Sequence, residues 1–135
     1  MGRTAAALVG FAAWLALLTI VLGFYRLAVM LRTNKAINSF ATDGQDIDPL
    51  GHRLTRARNN CYETLPVFAA LVLGASTSGR LDVTDPLAMW VLYARIGQSL
   101  THIVSTSAPA VQLRATFFFA QILIYLWWAA RLLGY

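Results

Sequence analysis

The sequence predicts an all-α integral membrane protein, a four-helix up-and-down bundle, and three observations carry that prediction. Hydrophobic residues make up 58% of the chain and charged residues 13%, with a mean hydropathy of +0.58. A soluble domain usually carries about 25% charged residues, and so few charges could not cover the apolar area of a small soluble protein. The apolar residues also fall into four runs separated by short polar connectors. Finally, the basic residues gather at one set of run ends. At 135 residues the chain reads as one domain, 1–135.

The first helix, about 5–32, opens on "AAALVGFAAWLALLTIVLGFY", about twenty apolar residues before Arg26. At 1.5 Å per residue that run crosses roughly 30 Å of hydrocarbon. It is too long for the apolar core of a signal peptide, and no small-residue cleavage site closes it. Residues 33–52 are polar, and "TDGQDIDPLG" within them reads as a loop. The second helix, about 53–78, begins with "RLTRARNNCYET" and continues into "LPVFAALVLGA". After the connector "STSGRLDVTDP", Asp85-Pro86 reads as a helix cap and first-turn proline, which starts the third helix, about 86–106. Residues around Pro109 separate it from the fourth, about 110–133, rich in Phe and Trp.

Short connectors join neighbours antiparallel and leave both termini on one side. The first loop and its flanks hold Arg26, Arg32, Lys35, Arg53, Arg56 and Arg58, whereas the opposite side has Arg3, Arg80 and Arg131. The positive-inside rule therefore places that loop in the cytoplasm. Most arginines flank or interrupt apolar runs, so the net charge of +5 does not describe the solvated basic face of a nucleic-acid binder. A single cysteine, Cys61, excludes an intrachain disulfide and reads as a packing residue.

Polar residues inside the helices raise the functional question. At 100° per residue, Arg53, Arg56, Asn60 and Glu63 lie within roughly 80° of one another on the second helix. On the third, Ser99, His102 and Thr106 share a face with Arg95, and Gln98 sits at its edge. On the fourth, Arg114, Gln121 and Tyr125 align with Phe118 and Trp128. A lone charge in mid-bilayer costs several kcal/mol and therefore turns inward to a partner. Glu63 and Arg95 form the obvious pair, and that pair alone could serve only to fix helix register. One carboxylate cannot also neutralise Arg53, Arg56 and Arg114. The surplus calls for an anion, either lipid phosphates or a soluble ligand with several negative charges. Arg26, Arg32 and Arg58 read as interfacial side chains that reach headgroups.

These residues carry a resemblance. "RLTRARNNCYETLPVF" resembles the second-helix signature of the MAPEG superfamily (membrane-associated proteins in eicosanoid and glutathione metabolism), met here by Arg53, Arg56, Ala57, Asn60, Glu63 and Pro66. "LYARIGQSL" around Arg95 and "QLRATFFFAQ" around Arg114 resemble the family's third and fourth helices, and "FATDGQDIDPLG" the loop of its bacterial branch. The resemblance implies a microsomal glutathione transferase-like homotrimer in the bacterial inner membrane, with sites between subunits. It implies glutathione as co-substrate, no metal, and a lipophilic electrophile or hydroperoxide as second substrate. Arg114 would stabilise the thiolate, since a nearby cation favours the reactive, deprotonated sulfur. Lys35, Arg53, Arg56, Asn60, Glu63, Arg95, Gln98 and His102 would bind glutathione. Tyrosines that family enzymes carry after the third-helix arginine are replaced here by Gln98 and His102. A serine and a tyrosine near the fourth-helix arginine are replaced by Ala115 and Phe118. A non-catalytic binder of lipid or protein partners is therefore the competing expectation. A channel ranks last, because the polar stripes cluster toward one face of the bilayer.

Overall fold

The computed structural model describes residues 1–34, 36, 38–41 and 48–135. Four helices follow in order: α1 (Arg3–Thr33), α2 (Pro49–Thr77), α3 (Leu81–Val104) and α4 (Ala108–Leu133). α2 and α3 pack against each other at the centre. α1 lies on both of them, and α4 lies mainly on α3, also touching α2; α1 and α4 do not approach one another. The two outer helices are the ones long and apolar enough to cross a membrane on their own composition. Their outward faces carry large exposed apolar residues, among them Phe24 and Leu31 on α1 and Phe119, Leu123 and Leu126 on α4. The buried polar residues of α2 and α3, among them Arg95 and Gln98, thus lie between apolar helices.

Aromatic stacking forms the shared core. Phe11, Phe68, Tyr125 and Trp128 bring together α1, α2 and α4, with Phe68 5.3 Å from Phe11 and 6.0 Å from Trp128 between ring centroids. Small residues allow close approach elsewhere. A methyl group on Gly97 would stand 3.1 Å from the Phe117 ring, and one on Gly10 would meet Leu92 at 2.7 Å.

Side chains tie the helix ends together. At one end, Asp85 on α3 accepts from both the backbone N–H and the hydroxyl of Thr4, so it caps α1 from a neighbouring helix. Thr4 and Thr84, both buried, meet through their hydroxyls at 2.8 Å. Arg80 donates to the Arg131 carbonyl at the end of α4, at 3.1 Å. At the other end, Tyr25 of α1 donates to Asp48, which is also the N-cap of α2 and accepts from Gly51 N–H. Arg53 donates to the Ile103 carbonyl near the end of α3, at 2.8 Å. These ties set the antiparallel order, with the α2–α3 connector beside the start of α1.

Helix starts depart from the expectation in an instructive way. Asp85-Pro86 does not begin α3, which starts four residues before Asp85 at Leu81, so that Val83 and Thr84 can be buried against α1. The cap-and-proline role falls to Asp48-Pro49, which brings "PLGH" into α2 instead of the loop. Likewise, Ser107 caps α4 and Pro109 sits in its first turn rather than in the connector.

Removing the cross-helix cap should therefore be measurable. Asp85→Ala should cost about 1–2 kcal/mol in thermal unfolding, the range for losing a helix N-cap, while Asp85→Asn should keep most of the stability. The Tyr25 hydroxyl and the Gly51 N–H hold the Asp48 carboxyl below its ordinary range. The stability that it contributes is in place above the ordinary aspartate range and is lost as pH falls through the lowered value. Asp48→Asn should flatten that acid-side loss, and an unchanged pH profile would show that the contact contributes nothing.

Candidate functional site

A buried polar chain links the three helices α2, α3 and α4. Arg95, only 1% exposed, donates through Nη1 to the Asn60 side-chain oxygen. Gln98 donates to the same oxygen at 3.2 Å, and Gln121 donates to Gln98 at 3.0 Å. Gln121 also donates to the Phe117 carbonyl one turn before it. The Arg95 guanidinium lies 5.6 Å from the centre of the Phe11 ring, and its positive charge faces the electron-rich ring face. Tyr125 and Cys61 stand close enough to interact with it electrostatically. Its Nε and Nη2 have no hydrogen-bond partner among the described residues.

The expected pairing of Glu63 with Arg95 does not form. Glu63 is exposed on the side of α2, while Asn60, nearly one helical turn earlier, takes the guanidinium. Both residues lie on the same stripe of α2, but Asn60 is at the right height. Arg95 therefore has a dipolar partner and a π-face rather than a carboxylate.

Beside this chain, residues of α2, α3 and α4 line an open cleft of about 240 Å³. Arg56, Gln98, His102, Val111, Arg114, Ala115, Phe118 and Phe119 line it. Arg114 is half-buried, and its Nη1 lies 2.7 Å from His102 Nδ1, while its Nε is buried without a partner. Arg56 is exposed at the opening. No described carboxylate lines the cleft. Arg56 and Arg114 make part of its lining cationic, and Val111, Ala115, Phe118 and Phe119 make the rest apolar.

The sequence-derived set is thus divided by the fold. Arg56, Gln98, His102 and Arg114 come together around the cleft. Asn60 and Arg95 lie in the polar chain behind it, and Gln98, which belongs to both, has its amide engaged at each end. Arg53 holds the end of α3, with its Nε committed to Ile103. Glu63 faces away, and Lys35 lies outside the described residues. Gln121 and the apolar lining residues Val111, Ala115, Phe118 and Phe119 were absent from the expected set. Gln121 extends the polar chain into α4. The alignment of Gln121 with Arg114 on one helix face was the available signal.

Four helices, two of them long and apolar enough to span a bilayer, with a cationic and apolar cleft between the inner pair and α4, are the architecture of a small helical membrane protein. Residues 4–134 match the model of the MAPEG family, nearly the whole chain, and the protein belongs to that family. No curated protein and no solved structure matches the chain. Membership places it, at the level of the family, among membrane proteins of glutathione and eicosanoid metabolism.

The Arg95–Asn60 contact makes a stability prediction. Asn60→Leu leaves the buried guanidinium and Gln98 without their acceptor, and should destabilise the protein by about 2–4 kcal/mol. Asn60→Asp supplies a charged acceptor at the same place and should be tolerated. Thermal unfolding of the purified variants compares the two, and equal losses would remove Asn60 from this role.

Proposed function

We propose that the protein is a glutathione transferase or peroxidase of the membrane, activating the glutathione thiol for attack on lipophilic electrophiles or hydroperoxides. The observation that carries this reading is the cleft itself, where Arg114 and Arg56 stand beside apolar side chains with no described carboxylate. Arginine binds carboxylates through parallel hydrogen bonds, and glutathione brings two carboxylates. A sulfur placed near Arg114 is held as thiolate by the adjacent positive charge. Val111, Phe118 and Phe119 provide the surface for a second substrate that arrives from lipid.

The same reading includes a homotrimer with sites between subunits. Glu63 supports it, because an exposed carboxylate beside an apolar helix surface is costly unless another chain or water covers it. We also place the protein in the bacterial inner membrane with the first loop cytoplasmic, following the arginines around that loop. A non-catalytic lipid binder is the second reading. It is favoured by the apolar part of the lining and by Ala115 and Phe118, which bring no hydroxyl to the cleft.

Two variants separate binding from chemistry. Reduced glutathione should raise the melting temperature of the purified protein and produce thiolate absorbance. Arg114→Ala should lower the conjugation rate by about a hundredfold or more, while binding changes only severalfold. Arg56→Ala should do the reverse, weakening binding while bound thiol still ionises. Stabilisation by lipid, with no thiolate signal from wild-type protein, would reject the enzyme in favour of the binder.

A further inference from the structure

We propose that His102 is the positioning residue of Arg114, a neutral imidazole with its proton on Nε2 whose Nδ1 fixes the guanidinium in the cleft. Its consequence for turnover rests on the glutathione reading above, whereas the hydrogen bond itself does not. A guanidinium has donors and no acceptor. The 2.7 Å contact between Arg114 Nη1 and His102 Nδ1 therefore needs a lone pair on Nδ1, and that assigns the tautomer.

The carboxamide oxygens of Asn60 and Gln98 are already engaged in the polar chain. The Asn60 oxygen already accepts from Arg95 and Gln98, and the Gln98 oxygen accepts from Gln121. The charged groups that act on His102 from the packed helices are Arg114 on α4, Arg56 on α2 and Arg95 on α3, and none of them can accept a hydrogen bond. Arg114 Nε is buried without a partner, so the bond at Nη1 is what fixes the direction of the fork. His102 is itself only 7% exposed and sits in the last turn of α3. A long flexible cation is thus held by a short rigid ring. With Nη1 anchored on the imidazole, the charge of Arg114 is held at the lining of the cleft, where a ligand's sulfur would lie. His102 then acts through Arg114 and need not touch the reacting atoms.

The test has two arms. In a His52→Gln background, His102 is the remaining histidine of the two in the chain. Nitrogen NMR of its isotopically labelled ring in the purified full-length protein should show one tautomer, protonated at Nε2, at neutral pH. Arg114→Met should release the ring into a mixture of tautomers. An imidazolium, an Nδ1-protonated ring, or a spectrum unaffected by Arg114→Met would overturn the pairing. In the second arm, His102→Phe keeps the ring volume without the acceptor, and His102→Asn places an oxygen close to where Nδ1 stood. The Phe variant should bind glutathione within about threefold of wild type yet lose about tenfold or more in kcat, with its thiolate absorbance displaced to higher pH. The Asn variant should recover most of both. Equal behaviour of the two variants would overturn the positioning role. If wild-type protein binds no glutathione, the proposed function falls, and the NMR arm alone still decides the pairing.

Discussion

A guanidinium buried where no carboxylate reaches it is the constraint around which this bundle is organised. Arg95 cannot shed its charge, so its surroundings must supply negative potential in another form. They do so with the Asn60 oxygen and the face of Phe11. Those two partners sit on α2 and α1, so a single side chain of α3 fixes the relation of three helices. Gln98 and Gln121 extend the same network to α4. Such a network has a particular value in lipid, where apolar faces gain little by leaving one apolar medium for another. Stacked rings give the core its density, and the polar chain gives it a unique register.

α1 shows the same logic at its margins. Its long apolar surface would pack in several registers, since little along it distinguishes one turn from the next. Two carboxylates remove the ambiguity, Asp85 taking its first turn and Asp48 taking Tyr25 toward its other end. The Asp48 contact also sets the start of α2, because Asp48 is its N-cap. Arg80 and Arg53 complete the pattern from the opposite sign, each donating to a carbonyl near the last turn of a neighbouring helix. Helix ends are where backbone groups lack partners, and these side chains serve them across helices rather than within them.

How much of this could be read from the chain follows from what periodicity encodes. Four helices and their order were legible, because apolar runs and polar connectors are properties of composition along the chain. The polar stripes were legible too, because a turn of 100° per residue assigns faces. Height along a helix was not. Asn60 and Glu63 share a stripe, and only the packing of α3 on α2 decides which of them meets Arg95. The stronger charge was the natural expectation, and the better-placed dipole won. Asp85-Pro86 failed as a helix start for a related reason. The dipeptide carries a local cap signal, but burial of Thr84 and the bond from Thr4 to Asp85 recruit it into the second turn of α3. The same dipeptide at Asp48-Pro49, without that competition, behaves as the local rule says. At the cleft, the stripe on α4 pointed to Arg114, yet its contact with His102 joins two helices across a connector and depends on their packing.

The division of charged side chains among these tasks has a consequence for the cleft. Asp48 and Asp85 are committed to holding α1, Glu63 faces outward from α2, and Asp82 lies in the first turn of α3, at the end where α1 begins. The described carboxylates are therefore placed away from Arg56 and Arg114. Arg53 is drawn off to a helix end, and Arg95 is engaged behind the cleft. What remains in the opening is a pair of arginines with a histidine that can only accept from one of them. Had Glu63 reached Arg95, the site would hold a compensated ion pair beside two further cations, and the field in the cleft would be correspondingly reduced. Because Asn60 takes its place, a dipole meets Arg95, and Arg56 and Arg114 line the cleft with no described carboxylate beside them. On the proposed reading, the substitution of a dipole for a charge in the core leaves the cations of the cleft to the ligand, and cations beside apolar side chains suit an amphiphilic anion better than a simple ion.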